Sequence, residues 1–289
     1  MIIDMHIHPY CKQATVIPSL EVALDRLITP MRNEKIKKPV LEFYKRAFLE
    51  HDLADIVKEM DEAGVDKSVI VSMDLSTSYG TVIVTNDDVV RMAQEYPGRF
   101  IPFASIDPSL GRLAIDELQR AFKDLGCKGL KLVPPVQKFD FSDPKLEPFW
   151  DMVNEMGIIV WTHASHQVTF HGSDSRLGNP MLVEFLALKY PDLPIVLGHC
   201  GFPWIWETWS LVIRHANVYV DISGYPDLYE YIPWDAYSKY FAEDKVLFAT
   251  DYPIRGFKIT LEALNKIGIS AEFKQKITGG NAAKLLGLS

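Results

Sequence analysis

Short apolar runs alternate with longer amphipathic stretches along almost the whole of the chain. The runs SVIVSM, GIIVWTH and PIVLGH are nearly continuous in hydrophobic residues and do not alternate between apolar and polar positions. Such continuity predicts strands that are buried on both faces, as in a parallel sheet. The eight strands predicted in this way cover residues 2–6, 68–73, 100–106, 127–133, 157–163, 194–199, 217–222 and 246–250.

The stretches between these strands have helical spacing and clear boundary signals. Leu53, Ile56 and Met60 recur at helical spacing, and Gly64 follows them as a typical helix end. The predicted helices cover residues 52–63, 86–95, 109–125, 144–156, 180–189, 204–215, 234–241 and 260–266, and terminal helices follow at 271–289. An open doubly wound sheet, the structural alternative, usually has a glycine-rich first turn, and none follows the first strand here. The alternation therefore predicts an α/β fold, a (β/α)8 TIM barrel, in a single domain over residues 1–289.

Residues 10–50 depart from this repeat, because the segment is too long for a plain loop after the first strand. It contains a basic cluster, Lys35, Lys37 and Lys38, together with scattered aromatic residues. Long insertions between core elements often serve as active-site lids. We therefore predict a partly helical insertion that forms a lid over the mouth of the barrel.

Composition and net charge indicate which kinds of binding partner and which cellular compartment to expect. The chain has 289 residues, 48% hydrophobic and 24% charged, as in ordinary globular proteins. Its net charge of −8 argues against nucleic acid as a partner, and no apolar stretch reaches the roughly 20 residues of a membrane span. The three cysteines lack paired spacing, and the start lacks the basic and long apolar segments of a signal peptide. We therefore expect a cytoplasmic protein without a disulfide framework.

Polar residues collect where the predicted strands end. In the order of the eight strands they are His6 and His8, Asp74, Asp107, Lys131, His163, His199, Asp221 and Asp251. His6 and His8 point to the same side of their strand because they are two residues apart. In a (β/α)8 barrel the carboxyl ends of the strands meet at one mouth, where the chemistry takes place. Imidazoles and carboxylates gathered there suit a divalent metal ion, and hydrogen-bonded core histidines are the structural alternative.

The ordered set His6-x-His8, His163, His199 and Asp251, on strands one, five, six and eight, resembles the amidohydrolase superfamily. More narrowly, the chain resembles the amidohydrolase-related branch that includes aminocarboxymuconate-semialdehyde decarboxylase. The resemblance covers the whole chain through the segments IIDMHIHP, GLKL, VLGHCG, FATDYP and GGNAAKLLGL. The order of the histidines and the aspartate is fairly specific to the superfamily. It is much less specific for the substrate, because the branch includes decarboxylases, lactone hydrolases and many uncharacterised hydrolases.

The resemblance implies a ligand set and a proton carrier. His6, His8, His163 and Asp251 would bind one divalent cation, most often zinc in such proteins. A metal ion lowers the pKa of a bound water from about 15.7 towards about 7, and Asp251 would accept a proton from that water. His199 would lie within reach as a proton-transfer group or an additional ligand, because it titrates near neutral pH.

Lys131 near the end of the fourth strand leaves the metal count open. Some members of the superfamily carboxylate a lysine at this strand and use it to bridge two metal ions. The branch that this chain resembles is generally mononuclear, so we expect one ion. A salt bridge to a barrel carboxylate and a contact with an anionic substrate are the other roles open to Lys131.

Three functions fit this reading. Hydrolysis of a small carbonyl or carboxylate compound, such as a lactone, ester or amide, by metal-activated water is the leading expectation. Non-oxidative decarboxylation of a small unsaturated or aromatic acid is the alternative, and a non-catalytic metal-binding barrel is the third. A decarboxylase needs a cation to hold the carboxylate, and Arg255, four residues beyond Asp251, is better placed than Arg176. The expected partner is a small-molecule substrate, with a homodimer left open.

Overall fold

Eight parallel strands form a nearly closed barrel in the computed structural model, which describes residues 1–288. The strands in chain order are β1 (Ile3–Ile7), β2 (Val16–Ile17), β3 (Lys67–Val71), β4 (Met73–Leu75), β5 (Thr81–Ile83), β6 (Phe100–Ser105), β7 (Gly129–Leu132), β8 (Ile159–His163), β9 (Ile195–Gly198), β10 (Val218–Asp221) and β11 (Val246–Leu247). The barrel order is β1-β3-β6-β7-β8-β9-β10-β11, with every pair parallel. The predicted single-domain (β/α)8 barrel is confirmed. Ser289, the last residue of the predicted domain, lies outside the described residues.

The helices lie between and after the barrel strands, as the amphipathic spacing predicts. They are α1 (Leu20–Leu27), α2 (Glu34–Glu50), α3 (Leu53–Ala63), α4 (Ser76–Tyr79), α5 (Asn86–Glu95), α6 (Arg112–Gln119), α7 (Pro134–Gln137), α8 (Glu147–Glu155), α9 (Glu184–Lys189), α10 (Ile205–Arg214), α11 (Trp234–Lys239), α12 (Phe257–Lys266), α13 (Ala271–Gln275) and α14 (Asn281–Leu285). The predicted helix 109–125 is divided into a 3₁₀ turn at Pro108–Leu110, α6, and a π-helical turn at Arg120–Asp124. Gly111 causes the first break, because its φ of 60° is not helical.

The insertion is partly helical, with β2, α1 and α2 inside residues 10–50. Its β2 pairs antiparallel with β5, and β5 pairs antiparallel with β4. These three strands form a second sheet, to which the insertion contributes β2. Strands of two or three residues are too short to produce a readable hydrophobic pattern, which is why this sheet was not predicted. The predicted strand 68–73 accordingly divides into β3 and the start of β4.

The seam between the last and the first barrel strand is irregular. Regular pairing of β11 stops at Leu247, so the predicted strand 246–250 is too long. Beyond that point the backbone N–H of Met5 donates to the carbonyl of Phe248 at 2.9 Å, and the N–H of Asp251 donates to the carbonyl of His6 at 3.0 Å. The segment after β11 leaves the regular ladder while staying bonded to β1, and this brings Asp251 beside His6.

Two further expectations concern the chain as a whole. Within residues 1–288, none of the helices combines the length and apolar composition that crossing a membrane requires. Cys11, Cys127 and Cys200 are buried and unpaired, as expected from their spacing.

Candidate active site

The carboxyl ends of the barrel strands surround one cavity of about 240 Å³. Tyr10 and Tyr44 of the insertion join its wall, and Tyr10 also packs on Phe48 of α2 with 4.7 Å between ring centroids. His6 is fully buried beside this wall, with its ring centroid 4.8 Å from that of His8. The strand ends contribute His8, Lys131, His163, His199 and Asp251 to the cavity, and the following loops contribute Phe170, Tyr225 and Arg255.

Asp251 lies at the centre of the histidines. Its Oδ1 is 3.7 Å from Nδ1 of His6 and 3.3 Å from Nε2 of His8. Its Oδ2 is 4.0 Å from Nδ1 of His199, and the ring centroids of His199 and His163 are 4.6 Å apart. The structure therefore brings together the four histidines and the aspartate that the sequence places at separate strand ends.

Both His199 and Asp251 have a left-handed backbone conformation, with φ values of 63° and 65°. Such values are uncommon for residues with a side chain and cost about 1–3 kcal/mol each. Surrounding hydrogen bonds maintain them: the N–H of His199 donates to Oδ1 of Asp221 at 2.9 Å, and that of Asp251 donates to His6. Backbone strain of this kind is concentrated at functional sites.

Burial lowers the pKa of all four histidines, because the base of the cavity cannot solvate an imidazolium. The pKa of His163 falls to about 3, and the pKa values of His6 and His199 lie well below the usual range, so the near-neutral titration that the sequence predicted for His199 is not found. The positive charge of Lys131 and the neighbouring histidines add to the effect of burial. Burial also lowers the pKa of His8, although the carboxylate of Asp251 acts in the opposite direction. Neutral imidazoles have the free lone pair that a metal ion requires.

The donor set fits a divalent metal ion. Among the described residues, Nδ1 of His6 and Nδ1 of His8 are buried without a hydrogen-bond partner. Donor atoms of His6, His199 and Asp251 all lie within 4.8 Å of one another, and nitrogen with carboxylate oxygen suits zinc and other divalent transition metals. This group contains His199, whereas the resemblance implies His8 and His163 as ligands and His199 as the proton carrier. The division of roles among these residues stays a prediction.

Lys131 is buried beside His6. Its Nζ is 2.9 Å from Nε2 of His6 and 3.3 Å from the centroid of the Trp161 ring. Burial lowers the pKa of Lys131 to about 7, while the carboxylates of Asp251 and Asp221 act in the opposite direction. Among residues 1–288 its amine contacts this imidazole and this ring instead of a carboxylate, so the salt bridge left open by the sequence is not formed.

The two arginines proposed for substrate binding lie in different surroundings. Arg255 lines the cavity, where its Nη1 donates to the carbonyl of Ile254 at 3.0 Å and its Nη2 lies 3.9 Å from Asp227. The side chain of Arg176 is 90% exposed and donates through Nε and Nη2 to the carboxylate of Asp174, at 2.9 and 2.6 Å. The structure therefore places Arg255 at the cavity and Arg176 outside it, because the neighbouring aspartate holds the Arg176 guanidinium.

Several buried polar residues around the site were not assigned a role from the sequence. Asp4 had a signal, because it interrupts an apolar strand two residues before His6. Asp221 was recognised only as a strand-end residue. Burial raises the pKa of Asp221, and hydrogen bonds from Ser223, His199 and Trp161 oppose this effect. Ser223 lies in an irregular loop, where no local pattern distinguishes it.

A family model provides the decisive comparison: residues 3–288 match the model of the Amidohydrolase family. The chain belongs to this family. The match covers the strand-end histidines, Asp251 and the whole barrel, so the resemblance noted from the ordered histidines is confirmed.

Two curated relatives align with most of this chain. Gamma-resorcylate decarboxylase of a Polaromonas species is 25% identical over 81% of this chain and 86% of its own length. The 2-amino-3-carboxymuconate-6-semialdehyde decarboxylase of Dictyostelium discoideum is 24% identical over 70% of this chain and 65% of its own length.

Solved structures share the barrel. An uncharacterised TIM-barrel protein from Bordetella bronchiseptica superposes with a TM-score of 0.74 at 25% identity, covering 99% of this chain and 98% of the other. A dihydroxybenzoic acid decarboxylase from a Polaromonas species, with bound manganese and the inhibitor 2-nitroresorcinol, has a TM-score of 0.69 at 20% identity. It covers 99% of this chain and 97% of the other. These likenesses extend over the insertion as well as the barrel.

Proposed function

We propose that this amidohydrolase-family protein is a metal-dependent, non-oxidative decarboxylase of a small aromatic or unsaturated carboxylic acid. The observation that carries the proposal is that both curated relatives are decarboxylases and align with most of this chain. The sequence alone favoured hydrolysis of a lactone, ester or amide, with decarboxylation as the alternative. The relatives favour the alternative, and we adopt it.

The cavity has a suitable size and lining for such a substrate. Its volume of about 240 Å³ lies below the roughly 300–1,000 Å³ typical of pockets for drug-sized ligands. Tyr10, Tyr44, Phe170 and Tyr225 supply aromatic surfaces on which a planar ring can pack. Arg255 offers a guanidinium, and guanidinium–carboxylate hydrogen bonds are stronger than those between neutral groups. A single-ring acid is therefore the substrate class that fits best.

We assign the metal ligands to His6, His8, His163 and Asp251. When bound, a divalent ion supplies positive charge that holds an anionic substrate and withdraws electron density from it. The sequence predicted zinc, and the related Polaromonas structure contains manganese. Both ions accept imidazole nitrogen and carboxylate oxygen, so the donor set is compatible with either.

The protein residues then act on the position and the protonation of the substrate. Arg255 orients an acid group at the open side of the cavity, and the tyrosines of the insertion exclude water from the ring. His199 delivers a proton to the ring carbon that bears the carboxylate. The bond from that carbon to the carboxylate then breaks, its electron pair returns to the π system of the ring, and carbon dioxide leaves. Water returns a proton to His199 before the next turnover, and the hydroxide left behind combines with the released carbon dioxide to form bicarbonate.

Carbon dioxide release from a panel of acids tests this proposal. The panel contains gamma-resorcylate, other hydroxybenzoates and unsaturated semialdehyde acids, and the same enzyme is assayed with lactones, esters and amides. In D₂O the product should carry one deuterium at the carbon that lost the carboxylate. Turnover of a lactone, ester or amide without release of carbon dioxide from any acid would contradict decarboxylation and restore the hydrolase reading.

A further inference from the structure

The side chain of His199 is hydrogen-bonded to Ser223, which follows the end of β10. Oγ of Ser223 lies 2.9 Å from Nδ1 of His199 and 2.6 Å from Oδ1 of Asp221, and all three residues are buried. The same Asp221 oxygen accepts the backbone N–H of His199 at 2.9 Å and that of Ser223 at 3.0 Å. Its other oxygen accepts the indole N–H of Trp161 at 2.5 Å.

The donors around Asp221 determine the direction of this chain of hydrogen bonds. Three N–H groups point at its two oxygens, and an ionised carboxylate is the form that only accepts. Ser223 has one hydroxyl proton, which it donates to Asp221 at the shorter of its two contacts. Its oxygen is then the acceptor for Nδ1 of His199, and this nitrogen must carry a proton. In a neutral imidazole the other nitrogen, Nε2, is therefore unprotonated.

The backbone of Ser223 also hydrogen-bonds the ring of His199 and acts to raise its pKa, so both contacts of this ring with Ser223 favour a proton on the imidazole. Oδ2 of Asp251 is 4.0 Å from this nitrogen, beyond the length of a hydrogen bond. Gly224 lies against the same side of the ring, where an added Cβ would be 3.2 Å from Nδ1 and 3.6 Å from Oδ2 of Asp251. Glycine at 224 therefore leaves room for the imidazole beside the carboxylate, and Ser223 remains its partner.

We propose that Ser223 and Asp221 are positioning residues that hold His199 in the Nδ1-protonated tautomer, which leaves Nε2 with its free lone pair. The kinetic part of this inference rests on the proposed function. The Nδ1–H bond to Ser223 also fixes the orientation of the imidazole ring, on which any reaction at Nε2 depends.

Nitrogen NMR of the histidine side chains tests the tautomer without any substrate. Spectra of ¹⁵N-labelled, zinc-loaded protein distinguish Nδ1–H from Nε2–H imidazoles, and His199→Asn identifies the signal of His199. We expect the Nδ1-protonated pattern in the wild type and in Ser223→Thr, and its loss or averaging in Ser223→Ala. Ser68→Ala is the matched control, because Ser68 is equally buried and its hydroxyl bonds to the sulfur of Met60 at 3.6 Å instead of to a histidine.

Two NMR results would overturn the inference. In the first, His199 of the wild type carries its proton on Nε2 or binds zinc through Nε2. In the second, Ser223→Ala keeps the Nδ1-protonated pattern. Both results are obtained without turnover, so they are distinct from a failure of the proposed decarboxylation.

Steady-state kinetics test the consequence for catalysis. Loss of a hydrogen bond that orients a metal-ligating histidine typically costs about 10–100-fold, and we expect a fall of similar size in kcat for Ser223→Ala, because Ser223 orients His199 in the same way. KM and metal content should stay at wild-type values, because Ser223 does not line the cavity, and Ser223→Thr should recover most of the loss. An unchanged kcat in Ser223→Ala, or an equal loss in Ser68→Ala, would contradict the positioning role.

Discussion

The hydroxyl of Thr250 donates a hydrogen bond to the carboxylate of Asp4 at 2.7 Å, across the seam between the first and last barrel strands. The other oxygen of Asp4 accepts the backbone N–H groups of His6 at 3.0 Å and Thr250 at 3.1 Å. Asp4 and Thr250 are both fully buried. One side chain thus joins the strand end that carries His6 to the strand end that carries Asp251, where regular sheet pairing has stopped.

Removal of this link should weaken the barrel. Asp4→Ala leaves two buried backbone N–H groups and the hydroxyl proton of Thr250 without an acceptor, and we expect the free energy of unfolding to fall by about 2–5 kcal/mol. Asp4→Asn should lose less, because its remaining oxygen can still accept both backbone groups. Urea denaturation of the metal-free protein measures the change. Asp66→Ala is the control, since Asp66 accepts from Ile2 in an exposed position; an equal loss there would refute a special role of the seam.

Metal content tests the proposed ligand set. Purified protein should contain about one tightly bound divalent ion per chain, and His6→Ala and Asp251→Ala should each lose it, because they remove donors from the centre of the site. Elemental analysis after dialysis gives the stoichiometry. His215→Ala is the matched control, because this buried histidine bonds to Glu184 away from the cavity. Full retention of metal in both site variants would disprove the assignment, and a stoichiometry of two would favour a carboxylated Lys131.

The proton carrier is separable from the metal ligands. His199→Asn keeps polarity and approximate size but removes the group that exchanges a proton. We expect wild-type metal occupancy with a fall in kcat on the order of 10²–10⁴-fold, the range for loss of a general acid or base. If the variant releases its metal, His199 is a ligand and the roles of the four histidines must be reassigned. Full activity would remove His199 from the mechanism.

The two arginines provide an internal comparison. Arg255→Met should raise KM for a carboxylate substrate by about 10–100-fold, because hydrogen bonds to charged groups contribute roughly 1.5–3 kcal/mol. Arg176→Met should leave KM unchanged, since that guanidinium binds Asp174 outside the cavity. Steady-state kinetics on the best acid of the panel measure both. A larger effect at Arg176 would show that its loop moves to the cavity when substrate binds.

The insertion should act as the lid of the cavity. Tyr44 of α2 lines the cavity, and Leu49 on the same helix is 62% exposed. Tyr44→Leu removes an aromatic surface from the wall, and we expect KM to rise by roughly tenfold, the equivalent of about 1.4 kcal/mol of ring packing. Leu49→Ala should have no effect on KM. Equal kinetics for Tyr44→Leu and the wild type would contradict a lid role for residues 10–50.

The barrel was predictable from local sequence because its determinants are local. Continuous apolar runs and amphipathic stretches with glycine or proline at their ends occur within windows of a few residues, and they determine element type and order. His6 and His8 share a face through strand geometry alone. The short strands of the second sheet could not be predicted in this way, and neither could the early end of β11, since pairing partners distant in the chain decide both.

By itself, the sequence determined the α/β alternation, the family and the strand ends at which His163, His199 and Asp251 lie. Only the tertiary structure decided which of these atoms approach one another, and that Arg255 faces the cavity while Arg176 pairs with Asp174. The same holds for the links from Asp4 to Thr250 and from Asp221 through Ser223 to His199, which join residues on different strands. Their contacts depend on how the barrel closes, and closure is a property of the whole sheet that no single segment contains.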